Sequence, residues 1–180
     1  MLMNREDSQL LVVDVQERLL PVMTDPEEVV GNCAILMQSA RELGLPVLVS
    51  EQYPKGLGPT VEALHNLASP AEILPKLAFS CADDEEIAAA LRSVRRRQIV
   101  VCGIEAHVCV LQTALGLRRD GYDVFVAGDA TSSRRSANRD AAHRRLAQAG
   151  IGMVTTEMAV FEWLHHAGTP EFKTISKLIK

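Results

Sequence analysis

Residues 99–109, with the sequence IVVCGIEAHVC, decide how this chain folds. They begin as a β-branched run, break at Gly103 and continue into an Ala- and Leu-rich pattern typical of a helix. This is the pattern of a buried parallel strand that leads into a helix N-terminus. Cys109 follows that turn, where main-chain N–H groups and the positive end of the helix dipole favour thiolate over thiol. The alternative is that Cys109 is a small buried hydrophobic residue.

The composition indicates a globular protein with an aliphatic core. The chain has 180 residues, and no linker divides it, so we expect a single domain over residues 1–180. Hydrophobic residues make up 47% and aromatic residues only 4%, as in α/β proteins whose sheet is covered on both faces. The net charge of −4 gives no argument for a nucleic-acid partner or an anionic membrane.

The chain shows no targeting or membrane signal. No apolar run approaches the roughly 20 residues of a membrane span, and the N-terminus lacks the apolar stretch of a signal peptide. The four cysteines lie far apart without CxxC spacing, which indicates neither a zinc knuckle nor a disulfide framework. We therefore expect a reducing, cytoplasmic setting.

Short apolar runs alternate with helical patterns along the chain. Besides the central strand, the predicted strands are residues 9–13, 45–50, 73–74, 123–127 and 151–154. The predicted helices are residues 25–43 (with Asp25 as the N-cap), 61–67, 83–97, the segment from Cys109 to Gly121, 136–148, and two helices beginning near Thr156 and Thr169. This alternation predicts an α/β fold: a three-layer α/β/α sandwich with a doubly wound, mostly parallel, Rossmann-like sheet of about six strands.

Three side chains with acid–base or nucleophilic chemistry follow predicted strands, and all three would lie at one edge of the sheet. They are Asp14, Lys76 and Cys109. A thiol, a carboxylate that can take its proton and an ammonium would together form a nucleophilic set. Each has a simpler interpretation, because Asp14 can cap a turn and Lys76 can be an exposed surface lysine.

The segment after the second strand, residues 51–75, predicts an ordered loop over that edge. Its turn residues and its aromatic and apolar content indicate a lid. Gln52 and Tyr53 would line the pocket from the lid, Phe79 would lie near the lysine, and Gln16 would present its amide to the same cleft. This lining indicates a small, partly apolar ligand.

Several segments together resemble the isochorismatase-like cysteine hydrolases. The matching segments, in family order, are residues 11–16 (LVVDVQ), 75–80 (PKLAFS), 103–110 (GIEAHVCV) and 121–124 (GYDV). Residues 51–58 (EQYPKGLG) and 172–178 (FKTISKL) are more similar to the isochorismatase-domain hydrolases than to the nicotinamidases.

The resemblance implies a role for each of these residues. Asp14 would be the general base, Lys76 the positioning cation and Cys109 the nucleophile. A cis peptide bond would join Ile104 and Glu105, and the N–H groups of Glu105 and Cys109 would form the oxyanion hole. Substrate contacts would also include Ile104 and His107, the latter at the entrance.

Two departures from the family pattern limit the chemistry. Nicotinamidases carry an Asp-x-His…His metal set after the second strand, whereas here residues 51–53 read EQY and His65 is the only histidine downstream in that region. We therefore expect no metal, no other cofactor, and a substrate other than nicotinamide. In isochorismatases the position of Cys109 is not cysteine. The predicted activity is hydrolysis of a small-molecule amide, carbamoyl or related C–N substrate through a thioester.

Three other functions remain open at this stage. His107 could serve Cys109 as a base, although residues two apart on a helix face different directions. The chain could be a thiol redox sensor with Cys102 as the nearest second cysteine. The chain could also be a module that binds anions or nucleic acid through a group of arginines. The alternative is that these arginines form a solvated helix face. The group consists of Arg134, Arg135, Arg139, Arg144 and Arg145.

Because members of the family usually assemble, we also expect a homo-oligomer. The apolar C-terminal segment around Phe161, Trp163 and Leu164 is a candidate interface.

Overall fold

The computed structural model describes residues 1–179 and confirms the predicted α/β architecture. Its six strands form one parallel sheet in the order β3-β2-β1-β4-β5-β6. The strands are β1 (Ser8–Val13), β2 (Val47–Gln52), β3 (Ile73–Lys76), β4 (Gln98–Ile104), β5 (Asp123–Ser132) and β6 (Gly152–Val154).

Helices cover both faces of this sheet. They are α1 (Pro26–Glu42), α2 (Pro54–Leu57), α3 (Glu62–His65), α4 (Glu85–Ser93), α5 (Leu111–Arg119), α6 (Ser136–Gln148), α7 (Thr156–Leu164) and α8 (Pro170–Ile175). Apolar residues of α1, α3, α7 and α8 pack on one face, and those of α4, α5 and α6 pack on the other. The molecule is therefore a three-layer sandwich with two hydrophobic cores.

Strand β1 shows why the predicted strands read as unbroken apolar runs. Leu10 and Val12 enter one core, whereas Leu11 and Val13 enter the other, and all four are fully buried. Side chains alternate between the faces of a strand, so a strand covered on both faces has no polar side. Each such side chain contributes about 1.5–3 kcal/mol by leaving water.

The strand order reverses direction between β1 and β4, and in open α/β sheets ligands bind beyond the strand ends at this position. Gly103 makes the close approach of these two strands possible. Its φ of +112° lies in a region that favours glycine, and a Cβ atom here would lie 2.1 Å from the Val13 carbonyl oxygen. The sequence predicts that the strand ends at the glycine, but β4 continues through Gly103 to Ile104.

Two other local predictions differ from the structure. Strand β5 was expected to end near Ala127 but runs to Ser132, after an irregularity in its pairing with β4. Asp25 precedes α1 but has a φ of +50° and makes no side-chain capping hydrogen bond. Asp84 does cap α4, accepting a hydrogen bond from the Ile87 N–H at 3.2 Å.

Within residues 1–179, no helix is both long and apolar enough to cross a membrane.

Candidate active site

Asp14 lies just beyond the end of β1, at the reversal of strand order. Its φ of +54° is left-handed, a conformation that Asp tolerates better than most residues, and it turns the chain sharply away from the sheet. The side chain is fully buried, with Oδ1 accepting from Ser50 Oγ at 2.7 Å and Oδ2 accepting from Lys76 Nζ at 2.7 Å. Burial raises the pKa of the Asp14 carboxyl, and Lys76, Cys109 and Ser50 oppose that rise.

Lys76 ends β3 and is a buried residue, so its interpretation as a surface lysine is wrong. Its Nζ donates to Asp14 Oδ2, to Gln52 Oε1 at 2.7 Å and to the Phe79 carbonyl oxygen at 3.2 Å. These three acceptors match the three hydrogens of an ammonium group. Burial alone would lower the pKa of Lys76, but the Asp14 carboxylate outweighs it, so the amine remains charged.

Cys109 lies in a single π-type turn, Ala106–Val110, that joins β4 to α5. The residue is 5% exposed, and its thiol lies close enough to the Asp14 carboxylate for the two groups to shift each other's pKa. Burial and then the Asp14 charge raise the pKa of this thiol strongly, with Lys76 opposing them. Burial and the Asp14 charge thus oppose the thiolate that the helix N-terminus is predicted to favour. With its pKa raised, the Cys109 thiol needs a base to take its proton, and the Asp14 carboxylate is its neighbour.

Gln16 and Gln52 form a chain of internal hydrogen bonds that leads to Lys76. Gln16 is fully buried and holds the main chain of Gln52, accepting from its N–H at 2.8 Å and donating to its carbonyl oxygen at 3.0 Å. Gln52 accepts from Lys76 and donates Nε2 to the Leu77 carbonyl oxygen at 2.9 Å. Both amides are thus engaged in internal hydrogen bonds, and the contact of Gln16 and Gln52 with a substrate stays a prediction.

Tyr53 and Phe79 lie at the surface beside Lys76. Both are about half exposed, and the neighbouring Leu77 is 75% exposed. A cleft of about 690 Å³ opens beside Lys76, with Tyr53 and Leu77 in its wall, but Asp14, Cys109 and Phe79 do not line it. Exposed apolar side chains at this position are compatible with the predicted contact of Tyr53 and Phe79 with an apolar group.

Ile104, Glu105 and His107 form the turn before Cys109. The Ile104–Glu105 peptide bond is cis, and Ile104 is fully buried in the core. The Glu105 carboxylate accepts from the N–H of Arg134 at 3.0 Å and from its guanidinium Nε at 3.2 Å. His107 Nδ1 is 2.9 Å from Ser133 Oγ, so the imidazole is engaged on the side of the turn that faces β5.

Sequence reasoning missed three residues that surround Asp14 and Cys109. They are Ser50 at the end of β2, Cys81 in a short 3-10 segment, and Thr113 on α5. The Thr113 hydroxyl accepts the Cys81 N–H at 2.9 Å, and the Cys81 thiol contacts Ser50. Ser50 could have been found, because it ends a buried strand at the same sheet edge as Asp14.

The other cysteines are all free and buried. Cys102 faces Cys33 of α1 rather than Cys109, so it is not the partner that a redox sensor at Cys109 would need. Within residues 1–179, no cluster of three or more His, Cys, Asp or Glu side chains is arranged to hold a metal ion.

The chain is similar to members of a known protein family. The model described as "Isochorismatase domain" matches residues 8–158. The chain is 41% identical to a protein named "Secreted isochorismatase effector Isc1" of Phytophthora sojae, over 96% of this chain and 84% of that protein. It is also 41% identical to isochorismatase domain-containing protein 1 of Danio rerio, over 93% of this chain but only 59% of the relative.

Solved structures with the same fold include a Caenorhabditis elegans protein described as MAR1 ribonuclease. It has a TM-score of 0.93 and 35% identity, over 99% of this chain and 92% of that one. YcaC of Pseudomonas aeruginosa, with hexane-2,5-diol and covalent acrylamide, has a TM-score of 0.92 and 26% identity, over 98% and 91%. YcaC of Escherichia coli, described as an octameric hydrolase of unknown specificity, has a TM-score of 0.93 and 25% identity, over 99% and 90%. On this evidence of sequence and fold, the chain belongs to the isochorismatase family.

Proposed function

We propose that this protein is a cysteine-dependent hydrolase that cleaves a small amide, carbamoyl or related C–N substrate through a thioester on Cys109. The observation that carries the proposal is the buried ion pair of Asp14 with Lys76 at 2.7 Å, close enough to the Cys109 thiol for the carboxylate and the thiol to shift each other's pKa. A thiol with a raised pKa needs a base within reach, and Asp14 is in that position.

The proposed reaction begins when Asp14 takes the Cys109 proton while the sulfur attacks the substrate carbonyl carbon. The main-chain N–H groups of Glu105 and Cys109 stabilise the oxyanion, and such donors are each worth roughly 10²–10³-fold in rate. Asp14 then protonates the leaving nitrogen as the C–N bond breaks, which leaves a thioester. Finally, Asp14 takes a proton from water, the hydroxide oxygen attacks the thioester carbonyl, and the C–S bond breaks to regenerate the thiol.

Lys76 acts in this scheme by holding the Asp14 carboxylate in its ionised form. Its ammonium lies against Oδ2 and is fixed by Gln52 and the Phe79 carbonyl oxygen. The description of covalent acrylamide in the related Pseudomonas structure supports a nucleophilic side chain in this fold, because acrylamide reacts at its vinyl group with nucleophiles such as thiolates.

The direct test is a panel of small amides, ureas and carbamoyl compounds assayed for ammonia or amine release. Cys109→Ala should abolish turnover and keep the thermal melting point of the wild type. Cys102→Ala is the matched control, because it removes a buried thiol that faces the other core. Hydrolysis that survives in Cys109→Ala would exclude the mechanism.

A second candidate is cleavage of RNA, favoured by the name of the Caenorhabditis elegans relative. The arginine group gives it little support, since Arg134 is bound to Glu105 and Arg139 to Asp140. RNA cleavage that disappears in Cys109→Ala would favour this candidate, and cleavage unaffected by that substitution would indicate contamination.

We also propose a homo-oligomer in a reducing, cytoplasmic setting. The four free cysteines support the setting. Trp163 and Leu164 are buried within the chain, which leaves Phe161 as the exposed member of the predicted interface, while Leu77 and Phe79 form a second exposed apolar group. Light scattering at several protein concentrations measures the assembly, and a monomer at all of them would contradict it.

A further inference from the structure

Ser50, the missed residue at the end of β2, holds Asp14 at two separate atoms. The Ser50 carbonyl oxygen accepts the Asp14 N–H at 3.0 Å, and the Ser50 hydroxyl donates to Asp14 Oδ1 at 2.7 Å. Both residues are fully buried, so water cannot replace either hydrogen bond at low cost.

The two carboxylate oxygens of Asp14 therefore have different partners. Oδ2 is bound by the Lys76 ammonium on β3, and Oδ1 by the Ser50 hydroxyl on β2. The pair fixes the rotation of the carboxylate about its χ2 angle, which is otherwise broad for Asp. The Cys109 thiol reaches a carboxylate whose plane is already set from two neighbouring strands.

Ser50 also has neighbours on the side of the site that faces α5. The Cys81 thiol contacts its hydroxyl, and the Cys81 N–H is bound to Thr113, one helical turn beyond Cys109. Burial and the Asp14 charge raise the pKa of Cys81 to about 11, so this neighbour stays neutral at physiological pH. The titratable groups that face Asp14 are thus Lys76, Cys109 and Cys81.

We propose that Ser50 is a positioning residue for catalysis, which acts through Asp14 by keeping its carboxylate ionised and aimed at the Cys109 thiol. The inference rests on the proposed function, because it assigns Asp14 as the base. Without the hydroxyl, Oδ1 loses a donor that favours the charged form, and burial then dominates. Loss of one hydrogen bond to a charged group corresponds to roughly one to two pKa units, so the pKa of Asp14 should rise by about that much.

The readout is the rate at which iodoacetamide alkylates Cys109, measured by peptide mass spectrometry between pH 5 and pH 9. The rate should show a step upward as Asp14 becomes ionised, below the further rise that ionisation of the thiol itself gives at higher pH. In Ser50→Ala this step should move upward by about one pH unit or more, so the rate well below the step should fall about tenfold. Ser50→Thr keeps the hydroxyl and should restore the wild-type profile.

Ser39→Ala is the matched control. Ser39 is fully buried on α1, and its hydroxyl has no hydrogen-bond partner within residues 1–179, so the same chemical change should leave the profile unchanged. If Ser50→Ala does not fold, Ser50→Val and Ser50→Thr provide an isosteric pair that differs in the hydroxyl alone. Thermal melting of every variant separates a loss of fold from a change in the profile.

Asp14→Asn distinguishes the possible failures. If Asp14→Asn keeps the wild-type pH dependence, Asp14 is not the base, and the proposed function fails together with this inference. If Asp14→Asn abolishes the acid-side step but the Ala or Val variant leaves it in place, only the role of Ser50 is refuted. A shifted profile that Thr restores supports both.

Discussion

Replacing Lys76 by Met tests the energetic basis of the site without knowledge of the substrate. The substitution keeps the apolar stem but removes an ammonium that meets three acceptors, and it leaves the fully buried Asp14 carboxylate without its ion-pair partner. Breaking a buried pair from one side costs about 3–5 kcal/mol. We expect this loss in the free energy of unfolding measured by urea denaturation at pH 8.

The loss should depend on pH in a defined direction. Without Lys76, the folded-state pKa of Asp14 lies further above its unfolded value, so the folded protein binds more protons than the unfolded chain. Stability then falls as pH rises, and the cost of Lys76→Met is smaller at pH 5 than at pH 8. At the lower pH, Asp14 regains its proton and is no longer a buried charge.

Arg97→Met is the matched control, because Arg97 pairs with Asp123 but its side chain is 72% exposed. Surface pairs contribute about 0–1 kcal/mol. The double variant Asp14→Asn/Lys76→Met should lose less stability than the sum of its single variants, because the two groups are in direct contact. A Lys76→Met cost no greater than that of Arg97→Met, or one that grows as pH falls, would refute this reasoning.

The remaining predictions concern a glycine, a tryptophan and the pH dependence of turnover. Gly103→Ala should lower the free energy of unfolding by more than about 2 kcal/mol, because the added Cβ would overlap Val13. Gly31→Ala, at a position with open space in α1, should raise the free energy of unfolding by about 0.5–1 kcal/mol. Equal effects of the two substitutions in urea denaturation would contradict this prediction. Trp163→Phe should cost about 1–2 kcal/mol through lost volume alone, because within residues 1–179 the indole N–H has no partner, and a cost above about 3 kcal/mol would contradict it. The acid limb of kcat/KM should lie above the ordinary carboxyl value of 3.8, because burial raises the pKa of Asp14, and a limb at or below that value would exclude Asp14 as the base.

Most of the fold could be predicted from local sequence. The continuous apolar runs of β1 and β4 reflect strands buried on both faces, and that signal is independent of distant residues. The extension of β5 to Ser132 could not be predicted, because residues 128–132 are polar or small and are extended only through pairing with β4. Gly103 predicted a break in the strand, but glycine is required there because β1 approaches closely, and this is a tertiary contact that the local sequence does not show.

The candidate site could be predicted in part. The chemistry-bearing side chains at strand ends were identifiable, since the ends of parallel strands share one edge. Their environment was not: Gln16 and Gln52 bind main-chain atoms and Lys76, and burial together with the Asp14 charge raises the pKa of Cys109. Hydrogen-bond partners and desolvation depend on the packed structure and leave no trace in spacing.

The most direct test of the account is to trap the acyl-enzyme. An activated amide or ester should be mixed with the protein, quenched in acid within seconds and analysed by peptide mass spectrometry. The account predicts an acyl group on Cys109 in the wild type, none at that position in Cys109→Ala, and much slower formation in Asp14→Asn. Acylation of a different residue at the same rate in all three proteins would contradict it.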